Sequence, residues 1–255
     1  MKIKNAIILA AGNSTRFGEN KLHKKIKEFT LPQRILKFCI KNEITNVYVT
    51  IRKEDFYLKN HRELCHPIIE DLERHALYTV PFKGFPGIES SAEIKNINLN
   101  YAFQNPNEYG PAAGIKPWKN IVKGSTIVLF GDNFYNMEIP DFEWLTEDTV
   151  YVSYINKTVD PRNLQLATIV DNYVIEKPHP FLSGEFFCGY IVFNSKSFKN
   201  LDKINKSGRN EYEITDFINS FKNRSFIEIK ENEWADLTYQ SDITNIINII
   251  ENGKV

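Results

Sequence analysis

Residues 3–18 read Ile-Lys-Asn-Ala-Ile-Ile-Leu-Ala-Ala-Gly-Asn-Ser-Thr-Arg-Phe-Gly, and this stretch decides the fold. Ile3 to Leu9 is rich in isoleucine and leucine and predicts a strand, whereas the small and polar residues from Gly12 to Gly18 predict a loop. Pro32 opens a predicted helix, and Asn46 to Ile51 predicts the next strand. A strand, loop, helix and strand in this order indicate a parallel sheet covered by helices.

The rest of the chain alternates predicted strands and helices. An apolar run from Thr126 to Phe130 ends in Gly131-Asp132-Asn133, which predicts a buried central strand with a polar loop at its carboxyl end. The other predicted strands are Ile97 to Phe103, Val150 to Ile155, Leu164 to Val170, Tyr173 to Ile175 and Phe186 to Phe193, and the other predicted helices are Leu64 to Leu77, Gly110 to Asn120, Glu213 to Phe221 and Asp242 to Ile250. No linker rich in Pro, Gly or Ser divides the chain, so we expect one domain over residues 1–255.

Composition excludes several classes of protein. Hydrophobic residues make up 42% and charged residues 25% of the 255 residues, which is typical of a globular protein. Lys plus Arg and Asp plus Glu both number 32, so no chain-wide charge attracts nucleic acid or an acidic membrane. The three cysteines are far apart, which favours reduced thiols in a cytoplasmic protein. The apolar run Ala6 to Ala11 is too short to span a membrane.

The loop after the first predicted strand carries the strongest chemical signal. Its small residues allow backbone N–H groups to approach a polyphosphate, and Arg16 and Lys21 add positive charge at the same place. Ligands of open α/β sheets bind beyond the carboxyl ends of the strands. The loop is neither a P-loop, because GxxxxGK[ST] is absent, nor a dinucleotide fingerprint, because the GxGxxG spacing is missing.

The run Leu9 to Gly18, followed by Lys21, resembles the opening motif of the sugar-phosphate nucleotidylyltransferases, also called NDP-sugar pyrophosphorylases, and in particular of the glucose-1-phosphate thymidylyltransferases. Further segments resemble motifs of this family in the same chain order. They are Gln104 with Gly110-Pro111-Ala112-Ala113-Gly114, Phe130-Gly131-Asp132-Asn133, Glu176-Lys177-Pro178, Phe187-Cys188-Gly189-Tyr190, Glu211-Tyr212-Glu213-Ile214-Thr215-Asp216 and Trp234-Ala235-Asp236-Leu237. Their common order and spacing make the set specific, and together they cover most of the chain.

The resemblance implies a fold and a reaction. The fold is α/β, with a Rossmann-like, mixed and mostly parallel central sheet flanked by helices, of the nucleotide-diphospho-sugar transferase type. The reaction is Mg²⁺-dependent transfer of NMP from an NTP to a phosphorylated acceptor, such as a sugar 1-phosphate, with release of pyrophosphate and formation of an NDP-sugar for nucleotide-sugar and polysaccharide biosynthesis. Such a protein needs no covalent nucleophile, because it has only to align two anions and neutralise the developing charge.

The resemblance also implies a role for each matching residue. Arg16 and Lys21 would be catalytic, Arg16 by binding the triphosphate and Lys21 by contacting the α-phosphate. Asp132 and Asp236 would hold Mg²⁺, which prefers carboxylates and keeps several waters. The implied acceptor-binding residues are Glu176, Lys177 and Gly189, and the implied nucleotide-binding residues are Leu9, Ala10, Ala11, Gly12, Asn13, Ser14, Gln104 and Gly110, of which the last two would read the base.

Several features depart from the family pattern, among them Cys188, which precedes Gly189 where a small or polar residue is common. Lys21 follows Asn20, where the family usually has proline, which makes the loop less rigid. After Asp236 the chain reads Leu-Thr-Tyr instead of a hydrophobic residue, Gly and Thr, and this change could reshape the acceptor pocket. Residues 52–96 form an expected insertion about twenty residues longer than the family needs, well beyond an ordinary connection. Such an insertion would cover the site or build a homo-oligomer contact.

Other functions remain open. A cytidylyltransferase acting on a non-sugar phosphate, such as a phosphocholine-like acceptor, has the same opening motif, so neither base nor acceptor is decided. A metal-dependent glycosyltransferase has a related nucleotide-binding half but typically uses an Asp-x-Asp pair, which this sequence lacks. A non-catalytic nucleotide-sugar sensor would keep the fold without the chemistry. The presence of Arg16, Lys21, Asp132, Lys177 and Asp236 together favours an enzyme.

Overall fold

A mixed sheet organises the part of the chain that the structure, a computed structural model, describes: residues 2–12, 14, 16–55, 57–59, 63–65, 67–78, 97–142, 144–159 and 166–252. The strands are β1 (Asn5–Leu9), β2 (Asn46–Ile51), β3 (Tyr57–Lys59), β4 (Glu63–Cys65), β5 (Asn98–Phe103), β6 (Ser125–Phe130), β7 (Asn133–Tyr135), β8 (Thr149–Thr158), β9 (Thr168–Val170), β10 (Tyr173–Ile175), β11 (Ser183–Asn194), β12 (Asn223–Glu228) and β13 (Trp234–Asp236). The α-helices are α1 (Leu31–Lys41), α2 (Pro67–Tyr78), α3 (Ile214–Asn219) and α4 (Asp242–Asn252), and the short 3-10 helices are Lys21–His23, Lys53–Asp55, Ala113–Trp118 and Ser195–Lys203.

The strand order confirms the expected mixed, mostly parallel α/β sheet. Along its main path the order is β10-β9-β11-β6-β1-β2-β5, with β8 paired to β11 and β12 paired to β8. Strands β6, β1, β2 and β5 are mutually parallel, and we call them the parallel block. Strand β11 joins this block antiparallel to β6 and continues the sheet toward β8.

Strands β1 and β6 of the parallel block are buried on both faces, which explains their continuous apolar sequences. Ala6, Ile7 and Ile8 of β1 have no exposed surface, and neither have Ile127, Val128 and Leu129 of β6. Parallel strands covered by helices on both sides need apolar residues at every position rather than at alternate ones. This is why the apolar runs of the sequence located these two strands.

One edge of the parallel block collects the loops that carry polar residues. The backbone N–H of Gly131 donates to Leu9 O at 2.9 Å, and that of Gln104 donates to Ile51 O at 3.0 Å. The loop after β1, the residue after β5 and the loop after β6 therefore begin side by side. Carboxyl ends of neighbouring parallel strands are where α/β proteins bind their ligands.

Two three-residue strands bring a distant part of the chain to the same edge. Strand β13 pairs antiparallel with β7, and Asp236 lies opposite Asn133 in their register. Leu237 N–H also donates to Asp132 O at 2.9 Å. This ladder places Asp236 beside the loop after β6, although more than 100 residues separate them in sequence.

Helix α1 begins at a complete capping box. The Thr30 hydroxyl accepts from Gln33 N–H, and the Gln33 side chain accepts from Thr30 N–H. These bonds satisfy backbone donors that a helix N-terminus otherwise leaves unpaired. The helix then buries Ile35, Leu36 and Cys39 against the sheet, as its apolar spacing predicts.

Helix α2 lies in the sequence region expected to be an insertion, residues 52–96. The described part of this region also contains the Lys53–Asp55 helix and the antiparallel pair β3–β4, and residues 79–96 lie outside the described residues. Asp71 of α2 joins the capping box of α1. Its two carboxylate oxygens accept from Thr30 Oγ1 and from Gln33 Nε2, both at 2.6 Å.

We expect Asp71→Ala to lower the free energy of unfolding by about 2 kcal/mol, because a hydrogen bond to a charged group contributes about 1.5–3 kcal/mol and Thr30 is buried. Urea denaturation at neutral pH measures the change. Asp202→Ala is the matched control, since Asp202 is exposed and pairs with Lys119 at the surface. Equal losses in the two variants would show that the Asp71 contacts do not hold α2 to α1.

None of the described helices is both long enough and apolar enough to cross a lipid bilayer.

Candidate active site

A cavity of about 360 Å³ opens at the carboxyl edge of the parallel block. It is lined by residues from the loops after β1, β5 and β6 and by residues from the second half of the chain. The expected site residues in its lining are Leu9, Ala11, Gly12, Ser14, Arg16, Lys21, Gln104, Gly110, Asp132, Glu176, Lys177, Gly189 and Asp236. Residues that are scattered from position 9 to position 236 of the sequence thus face one space.

Two expected residues do not appear in this lining. Asn13 lies outside the described residues. Ala10 is only 1% exposed, and its N–H donates to Thr50 O at 2.9 Å within the sheet. A Cβ at Gly131 would lie 2.8 Å from Leu9 O and 3.3 Å from the Cβ of Ala10. Ala10 therefore packs beneath the loop against Gly131, and its own N–H is occupied by the sheet.

Asp132 is held by two donors. Lys21 Nζ lies 2.6 Å from Asp132 Oδ2, and Asn133 Nδ2 donates to Asp132 Oδ1 at 3.0 Å. Asn133 is in turn fixed by the indole N–H of Trp234, which donates to its Oδ1 at 2.9 Å. A chain of hydrogen bonds from Trp234 thus orients the carboxylate that follows β6.

Lys21 connects the loop after β6 with the segment after β13. Besides Asp132, its ammonium donates to the carbonyl oxygen of Leu237 at 2.8 Å, next to Asp236. The Lys21 side chain is only 13% exposed, so its charge is not dispersed by bulk water. The positive charge sits between the loop after β6 and the segment after β13.

The surroundings of Asp236 disfavour the ionised form of its carboxylate. Burial raises its pKa, and the negative charges of Asp242 and Asp132 raise it further. The Thr238 hydroxyl donates to Asp236 Oδ2 at 2.8 Å and opposes this shift. Two carboxylates that repel each other in one cavity form an arrangement that a divalent cation would neutralise.

The donor set fits a magnesium ion. Asp132 and Asp236 both line the cavity and supply carboxylate oxygens, the ligands that Mg²⁺ prefers. No group of three or more His, Cys, Asp or Glu side chains is placed to hold a metal anywhere in the described part of the chain. Two carboxylates are nevertheless enough, since Mg²⁺ keeps several waters and takes phosphate oxygens from its substrates.

Gln104 and Gly110 form one end of the cavity. Gln104 Nε2 donates to Glu108 O at 2.9 Å and to Gly110 O at 3.4 Å, so its amide oxygen is the group left to face a ligand. Gly110 has φ 110°, and a Cβ there would lie 2.5 Å from Tyr212 O. Only glycine allows this loop to approach the Tyr212 segment so closely.

Lys177 and Glu176 lie in the part of the cavity built by the second half of the chain. Burial lowers the pKa of Lys177, while the Glu176 carboxylate raises it and the guanidinium groups of Arg209 and Arg16 lower it. Glu176 accepts from Arg209 Nη2 at 3.0 Å and from Thr215 Oγ1 at 3.1 Å. Lys177, Arg209 and Arg16 therefore create a local positive field in a chain of zero net charge.

Sequence reasoning missed Arg209. Its guanidinium lines the cavity and is held by Glu213, with Nε 3.1 Å from Oε1 and Nη2 2.8 Å from Oε2. The available signal was its place two residues before the Glu211 motif. An arginine in a polar loop is more often a solvated surface residue, so position alone did not identify it.

Gly189 lies beneath the indole of Trp234. Its φ is 76°, and a Cβ there would lie 3.0 Å from Trp234 Cδ1. The Tyr135 hydroxyl donates to Gly189 O at 2.6 Å. Glycine at this position lets β11 bulge, since the register of its pairing with β8 shifts between Phe187 and Ile191.

Comparisons with known proteins identify the family of the chain and its fold. The sequence model of the family described as "Nucleotidyl transferase" matches residues 5–253. No curated protein sequence is significantly similar to the chain.

Several solved structures have the same fold. A UDP-glucose pyrophosphorylase complexed with UDP-glucose has a TM-score of 0.71 at 15% identity, covering 99% of this chain and 100% of its own. A protein from Bacillus anthracis described as a glucose-1-phosphate thymidylyltransferase, with bound sucrose, has a TM-score of 0.68 at 19% identity, covering 98% and 95%. The inositol-1-phosphate CTP transferase from T. maritima has a TM-score of 0.68 at 12% identity, covering 100% and 97%. At these identities the likeness establishes the fold alone.

Proposed function

Because the chain belongs to the nucleotidyl transferase family, and so is an enzyme that transfers nucleotidyl groups, we propose that it joins the NMP unit of a nucleoside triphosphate to a small phosphorylated acceptor. Pyrophosphate leaves in this reaction, and the product is an NDP-linked metabolite. The observation that carries the proposal is one cavity with Arg16 and Lys21 from the first half of the chain and Lys177 and Arg209 from the second.

The bond changes balance without a covalent enzyme intermediate. A phosphate oxygen of the acceptor forms a bond to the α-phosphorus, and the bond from the α-phosphorus to the oxygen bridging to the β-phosphorus breaks. Arg16 would bind the triphosphate, and Lys21 would meet the charge that grows on the α-phosphate. Lys177 and Arg209 would hold the acceptor phosphate close to it, against the repulsion of two anions.

Asp132 and Asp236 would hold Mg²⁺ in this proposal. When bound, the ion neutralises charge on phosphate oxygens of the triphosphate. The contribution of the chain is the orientation of the two carboxylates by Asn133 and Thr238. Because these carboxylates are oriented before the substrates react, they do not have to reorganise during the reaction.

We propose a pyrimidine triphosphate as the donor, with UTP and dTTP first and CTP next. The preference for a pyrimidine rests on the resemblance to the thymidylyltransferases. The amide oxygen of Gln104 is a hydrogen-bond acceptor that an N–H group of the base would meet, and uracil and thymine offer a ring N–H for it, while cytosine offers its amino group. The backbone of Gly110, close beside it, would complete the recognition of the base edge.

We propose a sugar 1-phosphate as the acceptor. Glu176 and Glu211 both line the cavity near Lys177. The Glu211 carboxylate is half-buried, burial raises its pKa, and no described residue donates a hydrogen bond to it. Such a carboxylate is suited to accept hydrogen bonds from the hydroxyl groups of a sugar. A non-sugar phosphate is the second candidate, because Leu237 and Thr238 depart from the family pattern beside Asp236.

The wider organisation belongs to the same proposal. Residues 1–255 would form one catalytic domain, and residues 52–96 would be an insertion that forms a contact between copies.

Cys39 and Cys188 are buried free thiols, which fits a reducing, cytoplasmic setting. The balanced charge of 32 basic and 32 acidic residues supports small anionic substrates rather than nucleic acid or a membrane surface.

A panel assay tests the function. Pyrophosphate release is measured for ATP, GTP, CTP, UTP and dTTP, each with a series of sugar 1-phosphates and with phosphocholine, in the presence of Mg²⁺. We expect one pyrimidine triphosphate and one acceptor to give far faster release than the rest. Turnover with phosphocholine and CTP would assign the non-sugar alternative. Triphosphate binding without consumption by any acceptor would contradict the proposal and favour a sensor.

A pH profile tests the role of Lys177. Since burial lowers the pKa of this lysine, its ammonium loses its proton at a lower pH than an ordinary lysine does, and acceptor binding should weaken there. We expect kcat/KM for the acceptor to fall at alkaline pH in the wild type and to fall later in Lys177→Arg, whose guanidinium stays charged. Lys196→Arg, at an exposed position that does not line the cavity, is the control. Superimposable profiles of wild type and Lys177→Arg would remove Lys177 from acceptor binding.

A further inference from the structure

The segment after Asp236 is fixed along its backbone. Lys21 Nζ donates to Leu237 O at 2.8 Å, and Leu237 N–H donates to Asp132 O at 2.9 Å. The next two N–H groups, those of Thr238 and Tyr239, donate to Asp242 Oδ2 at 2.8 and 2.6 Å. A three-residue segment in which every residue has a backbone anchor holds its side chains in defined directions.

Thr238 points its hydroxyl at Asp236 from this fixed backbone. Thr238 Oγ1 lies 2.8 Å from Asp236 Oδ2, and both residues line the cavity. The other oxygen, Asp236 Oδ1, accepts no hydrogen bond from any residue that the structure describes. One oxygen of the carboxylate is thus engaged, and the other is left for a ligand.

A carboxylate in this position needs such a partner. Asp236 is half-buried, and of its two carboxylate oxygens only Oδ2 accepts a hydrogen bond from a described residue, Thr238. This hydroxyl donor restricts rotation of the carboxylate about its last bond. Threonine is stiffer at χ1 than serine because it is β-branched, so its hydroxyl is held more firmly.

We propose that Thr238 is a positioning residue for Asp236, holding its carboxylate so that Oδ1 faces the divalent cation of the reaction. This inference rests on the proposed function, since it takes Asp236 as a metal ligand. The family pattern has glycine at the position of Thr238 and hence no hydroxyl there. The proposal therefore assigns a role to this difference from the family pattern. The tight backbone anchoring by Asp242 and Lys21 is then the support that keeps the threonine in place.

Direct metal binding tests the proposal. Mn²⁺ is titrated into wild type, Thr238→Val, Thr238→Ser and Thr244→Val, with α,β-methylene-UTP, α,β-methylene-dTTP and α,β-methylene-CTP in separate series, and free Mn²⁺ is measured by electron paramagnetic resonance. Valine keeps the shape of threonine without the hydroxyl, and serine keeps the hydroxyl. Thr244 is exposed on α4, so its valine variant controls for the same chemical change elsewhere. Kinetics with Mg²⁺ are measured in parallel.

We expect Thr238→Val to weaken Mn²⁺ binding about 10- to 100-fold, the usual cost of losing a residue that orients a metal ligand. Thr238→Ser should recover most of the affinity, and Thr244→Val should match the wild type. In the kinetics, the Mg²⁺ concentration for half-maximal rate should rise in Thr238→Val, with kcat at saturating Mg²⁺ little changed. A merely structural role would not give this separation or its rescue by serine.

Two other outcomes are informative in different ways. Wild-type Mn²⁺ affinity in Thr238→Val would overturn the positioning role and leave the proposed function intact. A wild type that binds no Mn²⁺ with any of the analogues would contradict the metal site itself, and the role of Thr238 with it. If Thr238→Val does not fold, Thr238→Ala carries the same expectation, because it removes the hydroxyl without adding a methyl group in its place.

Discussion

Lys21→Met is expected to lower kcat about 100- to 1,000-fold, the usual effect of removing one fixed donor from a charge that develops in the transition state. Lys21 is 13% exposed and lies 2.6 Å from Asp132, so its charge acts in a site largely shielded from water. The proposed contact of Lys21 with the α-phosphate should strengthen as the phosphorus gains its new bond. The loss should therefore appear mainly in kcat, with a smaller change in KM for the triphosphate.

Two further variants, measured by steady-state kinetics, show whether the loss of kcat is specific to Lys21. Lys24→Met removes a neighbouring, exposed lysine that pairs with Glu19, and it should leave kcat unchanged. Lys21→Arg keeps the charge but changes its shape, and it should recover only part of the rate because the two groups place their donors differently. A Lys21→Met enzyme with the kcat of Lys24→Met would exclude Lys21 from catalysis.

Asp236→Asn is expected to act in opposite directions on turnover and on stability. Removal of this proposed metal ligand should cost several kcal/mol of transition-state stabilisation, which corresponds to about 1,000-fold or more in kcat. The metal-free protein should instead unfold at a higher temperature, because burial and the charges of Asp242 and Asp132 raise the pKa of Asp236 in the folded state. A charge that the fold disfavours reduces stability at neutral pH, and asparagine removes it.

The sign of the stability effect follows from the pKa. With the folded pKa above the unfolded value, the ionised carboxylate costs stability above that unfolded value and costs nothing well below it, where Asp236 is protonated in both states. The advantage of Asp236→Asn should therefore disappear as the pH falls below about 3.9, the ordinary pKa of an aspartate. Thermal unfolding without added metal, at several pH values, measures this.

Asp132→Asn provides the matched comparison for Asp236→Asn. It should lose turnover to a similar extent, but it should also lower the unfolding temperature, since it leaves the mostly buried Lys21 ammonium without its carboxylate. Asp202→Asn, at an exposed position, should change neither property. Full turnover in both Asp132→Asn and Asp236→Asn would remove these two residues as the metal ligands.

The first half of the site was predictable from sequence because topology dictates it. Once β1, β5 and β6 are known to be parallel neighbours in a buried sheet, the residues after them must share one edge. The loop after Leu9 and the polar loop that begins at Gly131-Asp132 were located by this argument, whereas Gln104 and the role of Asp132 were reached through the resemblance to the family. Strands β1, β2 and β6 were visible as the apolar runs Ile3 to Leu9, Asn46 to Ile51 and Thr126 to Phe130.

The second half was harder because its elements are short. Strands β7 and β13 have three residues each, too few to show an alternating pattern, so the ladder that brings Asp236 to Asp132 could not be seen. Asp236 was reached only through a resemblance to a family motif. Strand β12, Asn223–Glu228, was missed because its polar and charged residues do not form an apolar run.

Arg209 and Thr238 are cavity-lining residues that the local sequence does not identify. Both lie in polar loops, and a polar loop residue that lines a cavity has the same local sequence as one that faces water. Arg209 contacts Glu176, which is distant in the sequence, whereas Thr238 contacts its near neighbour Asp236, whose place in the cavity depends on the pairing of β13 with the distant strand β7. Only the tertiary structure places these contacts in the cavity.

The most direct test of the proposed reaction follows the oxygen atoms of the acceptor. The acceptor phosphate is labelled with ¹⁸O, the reaction is run with the triphosphate that supports turnover, and both products are analysed by mass spectrometry. Attack by an acceptor oxygen on the α-phosphorus predicts that all the label stays in the NDP-linked product and that pyrophosphate carries none. Release of NDP or inorganic phosphate from the triphosphate, or ¹⁸O in pyrophosphate, would contradict nucleotidyl transfer by this cavity.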